Sequence, residues 1–383
     1  MNYAVLKKYL VTTFRWLVII FALTSCLSFI GWNNQIHSST PNYSVQHVSR
    51  TTSVITKVFS DLSVTPFEAI TENFDSIHKK TYPGARKTVN YAGQYNIWHI
   101  DSLDGTDNMV LDGNYVSNYT GTGSNIVLVD VFVKETSDLT DRVIGLTDRR
   151  SHHMSNDVTL LNHGTLMAGV AGGTTFGVAP NATIYHYQLR TQKATNLPIF
   201  DTEDAHILNI LSNSVCTKEK RCVLLLPFEF ENLNSYTFDI TVTLQQLLSE
   251  KKYIIVMASG NSNTQLNRTS SHIDNDIIIV GGYTLNGSGK PIKSLSSNYG
   301  DRIDVYAPSV DVLAVGVADE MMITGGTSSA SAVVAGWVAT LLEKQPSLST
   351  KDVLDMIQQM NQASSDGVMI RPLRDLIQNS TIN

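Results

Sequence analysis

Four short segments carry side chains that together could do covalent chemistry. Ser328 stands in Gly325-Gly326-Thr327-Ser328-Ser329-Ala330, where two glycines and a Thr-Ser pair precede a run of small residues ending at Trp337. That pattern sets a hydroxyl at the start of a helix, where unsatisfied N–H groups and the helix dipole favour developing negative charge. A nucleophilic serine with an oxyanion forming beside it needs such surroundings. An ordinary Ser/Thr cap has the same local pattern. His163, in Asn162-His163-Gly164-Thr165-Leu166-Met167-Ala168-Gly169, opens a helix of small residues able to lie close to another backbone. Asp130 ends the apolar run Asn125-Ile126-Val127-Leu128-Val129. Asn261 closes Met257-Ala258-Ser259-Gly260-Asn261, a turn position that suits asparagine and from which its amide can donate to an oxyanion. Taken singly, each has a bland reading: a cap, a surface histidine, a solvated carboxylate, a turn residue. In the order Asp, His, Asn, Ser they supply an orienting carboxylate, a general base, an oxyanion donor and a nucleophile.

These residues need a scaffold, and the chain from about residue 95 onward reads as one. Strands are predicted at Ile126–Val131, Thr183–Leu189, Cys222–Leu226, Tyr253–Ala258 and Ile277–Val280. Helices are predicted at His163–Gly173, Thr202–Leu211, Ile240–Lys251, Ser329–Glu343 and Thr350–Met360. Strands that are apolar throughout and separated by helices indicate an α/β fold, with a mostly parallel central sheet and helices on both faces. In such a sheet, sites form at the carboxyl ends of strands, where Asp130 stands. No repeat of solenoid or propeller spacing is present.

The 383 residues are 42% hydrophobic and 16% charged, so most of the chain is expected to fold around a sizeable core. The net charge of −6 and the lack of a basic stripe argue against nucleic acid as a partner. Near the N-terminus, Lys7, Lys8 and Arg15 precede an apolar run from Trp16 to Trp32. This segment, residues 1–32, reads as a signal peptide or a membrane anchor. Leu23-Thr24-Ser25-Cys26 is similar to a bacterial lipobox, which would make Cys26 a lipidation candidate. A lipoprotein signal, an ordinary cleaved signal and an uncleaved anchor all place the remainder outside the cytosol, and two of them attach it to a membrane. Residues 33–94 are polar and read as an N-terminal extension or pro-segment, with weak helical patches at Val54–Leu62 and Phe67–Ile77. Beyond Cys26 only Cys216 and Cys222 remain. In an exported domain they suggest one disulfide around a charged loop, with two unpaired thiols as the alternative. No Cys/His spacing reads as a zinc site.

Taken together the motifs resemble those of the subtilisin-like serine proteases, the subtilases. The likeness covers roughly residues 95–365, which it marks as a catalytic domain followed by a tail at 366–383. It rests on His163-Gly164-Thr165 with Ala168-Gly169, on Gly177-Val178-Ala179-Pro180-Asn181-Ala182 and on Ala258-Ser259-Gly260-Asn261. Ser297-Asn298-Tyr299-Gly300, Val305-Tyr306-Ala307-Pro308 and Gly326-Thr327-Ser328-Ser329-Ala330 through Gly336 extend it. The resemblance implies a three-layer fold and hydrolysis of peptide bonds in protein or peptide substrates. Ser328 would be the nucleophile, His163 the base, Asp130 its orienter, and Asn261 with the Ser328 N–H the oxyanion donors. Leu226, Pro227, Phe228 and Glu229 would form one substrate-binding edge, and Ala258, Ser259 and Gly260 the other. No cofactor is required for that chemistry; structural calcium is common in the family, but its ligands are unknown here. The chain departs from the family pattern at Val131-Phe132, where a small hydroxyl residue and a glycine are usual. It departs again at Leu166, at Ala332 for a proline, and at Pro227–Glu229 for a Ser-(Leu/Phe)-Gly edge. Glu229, near the entrance, is expected to favour a basic substrate side chain. The altered turn and edge also fit a second reading, a catalytically impaired fold kept as a binding or scaffolding module. Acyl transfer to an amine by the same nucleophile is a third.

Overall fold

A computed structural model describes residues 87–90, 97–104, 111, 114–147, 158–192, 197–229, 238–268, 276–359, 362–363 and 369–370. The chain separates into two units, residues 1–50 and 51–383, and everything described belongs to the second. The N-terminal segment with Cys26, nearly all of the 33–94 extension and most of the 366–383 tail lie outside the described residues.

In chain order the elements are β1 (Lys87–Asn90), α1 (Trp98–Asp104), β2 (Asn114–Ser117), β3 (Asn125–Asp130), β4 (Val143–Gly145), α2 (Val158–Gly172), β5 (Thr183–Gln188), β6 (Arg190–Gln192) and β7 (Leu197–Ile199). They continue with α3 (Thr202–Leu211), β8 (Cys222–Leu226), α4 (Phe238–Leu248), β9 (Tyr253–Ala258), β10 (Ile277–Leu285), β11 (Pro291–Lys293), β12 (Val305–Pro308), β13 (Val312–Val315) and β14 (Met321–Thr324). Last come α5 (Gly326–Lys344), α6 (Thr350–Gln359), β15 (Gln362–Ala363) and β16 (Met369–Ile370).

The central sheet runs β11-β10-β9-β8-β3-β5-β4, with β12 also paired to β10. Every pairing in it is parallel except β10–β11. Alternation along each strand sorts the side chains into two cores. Ile126, Leu128, Val223, Leu225, Ile254 and Val256 face a layer built with α2 and α5. Val127, Val129, Leu224, Leu226, Ile255 and Met257 face the other layer, with Ala205, Leu208, Leu244 and Leu247 of α3 and α4. Burial of both faces is why these strands are continuously apolar. The architecture is the expected three-layer α/β fold with a mostly parallel sheet. α5 is buried along nearly all its length, from Thr327 to Leu342, so the small residues after Ser328 serve close packing. Among the described residues no helix is long and apolar enough to cross a membrane.

Two boundaries differ from the sequence expectation in ways that bear on the site. α2 begins at Val158, five residues before His163, so His163 sits in the second turn and does not open the helix. Asn162, just before His163, accepts the Val317 N–H through Oδ1 at 2.9 Å. α5 begins at Gly326, with Gly325 as its cap, so Ser328 stands in the first turn.

Candidate active site

The strand order fixes where a site can form. β3 is followed by β5 on one side and later by β8 on the other, and a crevice opens outside the strand ends where the order reverses in this way. Asp130 ends β3, Pro227 directly follows β8, and Ala258 ends β9. The β3–β8 pairing ends at Leu128 and Leu225, so Asp130 and Pro227 each stand two residues beyond it, at the carboxyl ends of neighbouring parallel strands.

Asp130 is buried, and its two carboxylate oxygens lie 3.0 and 2.9 Å from Nδ1 of His163. An imidazole donating from Nδ1 holds the tautomer in which Nε2 is the basic nitrogen. The turn after Asp130 lacks the usual small hydroxyl residue, yet the carboxylate is still held: the Val131 N–H donates to Oδ1 at 2.7 Å. His163 reaches Asp130 because α2 lies against this turn. A Cβ on Gly164 would stand 2.3 Å from the carbonyl oxygen of Phe132 and 3.1 Å from the Asp130 Cβ, so any side chain there pushes the helix away. Thr165 completes the clasp by accepting the Lys134 N–H at 2.9 Å.

Behind Asp130, Nε2 of His186 lies 3.3 Å from the Asp130 carbonyl oxygen. Burial pushes the His186 imidazole from its ordinary 6.5 down to about 4, against the opposing pull of Asp130. His186 is therefore neutral in the native state between those values, whereas in the unfolded chain it takes up a proton. The unfolded state binds more protons across that window, so stability rises with pH through it and falls on acidification. The expected loss between pH 6.5 and 4 is about 3 kcal/mol, at about 1.4 kcal/mol per unit. Denaturant titrations at several pH values, with His186→Gln beside the parent, check this. The variant should lose less stability over the window, and parallel curves would refute the assignment.

Ser328 is buried at the first turn of α5, and its Oγ donates to the Pro227 carbonyl at 2.8 Å. Proline keeps the acceptor that this contact uses while lacking an N–H. The helix start is tied to the Asn261 loop by a reciprocal pair of bonds. The Gly260 N–H donates to Thr327 Oγ1 at 3.0 Å, and the Thr327 N–H donates to Asn261 Oδ1 at 2.9 Å. Gly325 has no side chain to cap α5, so Asn261 caps it from another loop. With Oδ1 fixed by that donor, the orientation of the amide is determined. Nδ2 is left buried with no hydrogen-bond partner among the described residues. A buried, unused donor beside a serine at a helix N-terminus is what a developing oxyanion would meet.

The expected substrate edges are placed less simply. Leu226 and Phe228 direct their side chains into the second core, with the Phe228 ring 6.2 Å from that of Phe200. Ala258 and Ser259 are fully buried. Glu229 is not at an entrance: it is 7% exposed, and its Oε2 accepts from Asn298 Nδ2 at 3.0 Å. Its carboxylate lies against Gly260, where a Cβ would be only 1.0 Å from Oε2. The expectation of an entrance carboxylate fails because Gly260, with φ of +99° and no side chain, leaves room for Glu229 to fold inward. Thr327, His186 and Asn298 emerge as neighbours of the site that had no assigned role in the sequence. Thr327 and Asn298 lay within recognised motifs, whereas His186, in an ordinary strand, gave no signal.

Among the described residues no group of three or more His, Cys, Asp or Glu side chains could hold a metal ion, so no calcium ligands are assigned. Cys216 and Cys222 are joined by a disulfide, and the loop it closes is anchored by the Arg221 N–H on the Pro346 carbonyl at 2.9 Å.

A sequence model of the Subtilase family matches residues 89–380. Alkaline serine exoprotease A of Vibrio alginolyticus is 26% identical over 273 residues, 70% of this chain and 47% of the relative. Alkaline protease 1 of Aspergillus flavus is 24% identical over 202 residues, 52% of this chain and 47% of the relative. The chain thus spans about half the length of these curated relatives. Among solved structures, a cold-adapted subtilisin-like serine proteinase aligns with a TM-score of 0.59 and 22% identity, covering 73% of this chain and 98% of that one. That likeness shows the fold.

Proposed function

Because the chain belongs to the subtilase family, we propose that it is a serine endopeptidase that cleaves protein or peptide substrates through a Ser-His-Asp acyl-enzyme, outside the cytosol. What supports this reading is the buried Asp130–His163 hydrogen bond, together with Ser328 in the first turn of α5 and a buried Asn261 Nδ2 that has no partner among the described residues. In the proposed reaction Ser328 Oγ leaves the Pro227 carbonyl, gives its proton to His163 Nε2 and bonds to the substrate carbonyl carbon. The carbonyl oxygen becomes an anion, met by Asn261 Nδ2 and the Ser328 N–H. Collapse of the intermediate breaks the C–N bond as His163 protonates the leaving amine. Water, deprotonated by His163, then releases the acid and restores Ser328. Asp130 stabilises the imidazolium formed in each half without taking up the proton itself. The catalytic domain is taken as about residues 95–365. Residues 33–94 are proposed as a pro-segment, and residues 1–32, with Cys26, as the export or attachment signal. The disulfide supports an oxidising location.

One observation favours the second reading, a binding module. The Ser328 hydroxyl proton is directed at Pro227 in this structure, and a serine held there permanently would not react. Labelling by a fluorophosphonate probe separates the two. The folded protein, freed of any pro-segment, should be labelled, and the label should vanish in Ser328→Ala. Absence of labelling in the parent would favour the binding module.

A further inference from the structure

Asn298 lies between β11 and β12 and is 1% exposed. Its N–H donates to the Gly260 carbonyl at 2.9 Å. Its Oδ1 accepts from the Ser262 and Thr264 N–H groups at 3.1 and 2.8 Å. Its Nδ2 donates to the Ser259 carbonyl at 2.7 Å and to Glu229 Oε2 at 3.0 Å. These bonds bracket Asn261 in sequence, reaching Ser259 and Gly260 before it and Ser262 and Thr264 after it. The loop needs such support. Gly260 and Asn263 have φ of +99° and +50°, and the backbone groups at these bends are met by Asn298 and its neighbours, the Asn263 N–H donating to the Ser296 carbonyl at 2.8 Å. Glu229 adds the last constraint. With two acceptors at Nδ2 and two donors at Oδ1, the Asn298 amide has a single workable orientation, so it cannot flip and release the loop.

We infer that Asn298 is a positioning residue for catalysis. It holds the Ser259–Thr264 loop so that Nδ2 of Asn261 meets the oxyanion, and Glu229 locks the Asn298 amide in place. This rests on the peptidase reading proposed above. It gives Glu229 a role in shaping the oxyanion loop, in place of contact with a substrate side chain. An oxyanion donor acts only within about 0.5 Å of its working position, so the effect should fall on turnover and not on substrate affinity.

The test uses peptide hydrolysis by the full chain after removal of any pro-segment. Asn298→Ala should lower kcat about 10- to 100-fold, the size of effect expected from a misplacement of about 1 Å, with KM changed less than about threefold. In an Asn261→Ala background the same change should lower kcat less than about threefold further, because a residue acting through Asn261 has nothing left to position. A general destabilisation would instead add in full. Asn298→Asp sets a carboxylate against Glu229 and the Ser259 carbonyl. Adding Glu229→Gln supplies a donor to that carboxylate and should recover at least about threefold of the lost kcat, as expected of contacting groups. Should Asn298→Ala not fold, the comparison of Asn298→Asp with its double variant decides the matter, and absence of recovery overturns the inference. So does a kcat for Asn298→Ala within twofold of the parent, or a full additive loss in the Asn261→Ala background. A parent without turnover that depends on Ser328 overturns the peptidase reading and the positioning role together. Ser328-dependent turnover that ignores Asn298 overturns the positioning role alone.

Discussion

Changing His163 to alanine should lower kcat by about 10⁶-fold, and changing Asp130 to asparagine by about 10⁴-fold, the losses found when a triad of this kind loses its base or its orienting carboxylate. The two differ because the residues do different work. In the proposed reaction His163 is the group that takes the Ser328 proton, so its loss removes the base. With asparagine at 130 the imidazole remains, but the amide can donate to Nδ1 and so favour the tautomer that places the proton on Nε2, where the base is needed. The geometry supports intact folding of the second variant, since the Val131 N–H can still bond a side-chain oxygen at position 130. Joined in one chain, the two changes should cost little more than His163→Ala alone, because they disable one unit. Steady-state kinetics on a peptide substrate, with circular dichroism as a fold control, checks both. The Asp130→Asn result also judges the unusual Val131-Phe132 turn. If that turn held the carboxylate out of line, Asp130 would contribute little, and a loss below about tenfold would place it outside the 10⁴ class of orienting carboxylates.

The sequence was informative where local pattern and tertiary role coincide. Cys222–Leu226 and Tyr253–Ala258 are strands over the predicted residues because both faces are buried, and the continuous apolar run records that directly. The order Asp130, His163, Asn261, Ser328 was legible because each sits at a strand end, in a helix of small residues or beside a glycine turn, each with its own composition. Where a residue's partner is remote, the pattern misled. His163 reads as the opening of its helix, but α2 begins at Val158, and Asn162 serves Val317 across 155 residues. The strand expected over Ile277–Val280 runs on through Gly281 and Gly282 to Leu285, where the Tyr306 ring of the paired strand fills the space a side chain on Gly281 would take. Glu229 looked like a substrate-facing charge because the resemblance puts it in place of a glycine on a substrate-pairing edge. Its inward turn depends on the space over Gly260 and on Asn298, 69 residues away. Register brings those groups together, and no local spacing encodes it.

Asn261→Ala should lower kcat by about 10²- to 10³-fold with KM nearly unchanged, equivalent to about 3–4 kcal/mol of transition-state stabilisation. In the proposed mechanism the oxyanion exists only once Ser328 Oγ has bonded to the carbonyl carbon. A donor aimed at it therefore adds little to binding of the intact peptide and much to the barrier. Alanine removes a second thing as well, the Oδ1 that accepts the Thr327 N–H and caps α5, which should cost about 1 kcal/mol of stability. Asn261→Asp separates the two roles. A carboxylate can still accept from Thr327, so the cap survives and stability should stay near the parent's. The donor is gone, and a negative charge faces the developing anion in a water-poor site, so kcat should fall at least as far as in the alanine variant. Denaturation midpoints and kcat for the two variants then give opposite orders. If aspartate proves the more active of the two, the amide is acting as a cap and not as an oxyanion donor, and the stabilising charge must come from the N-terminus of α5 alone.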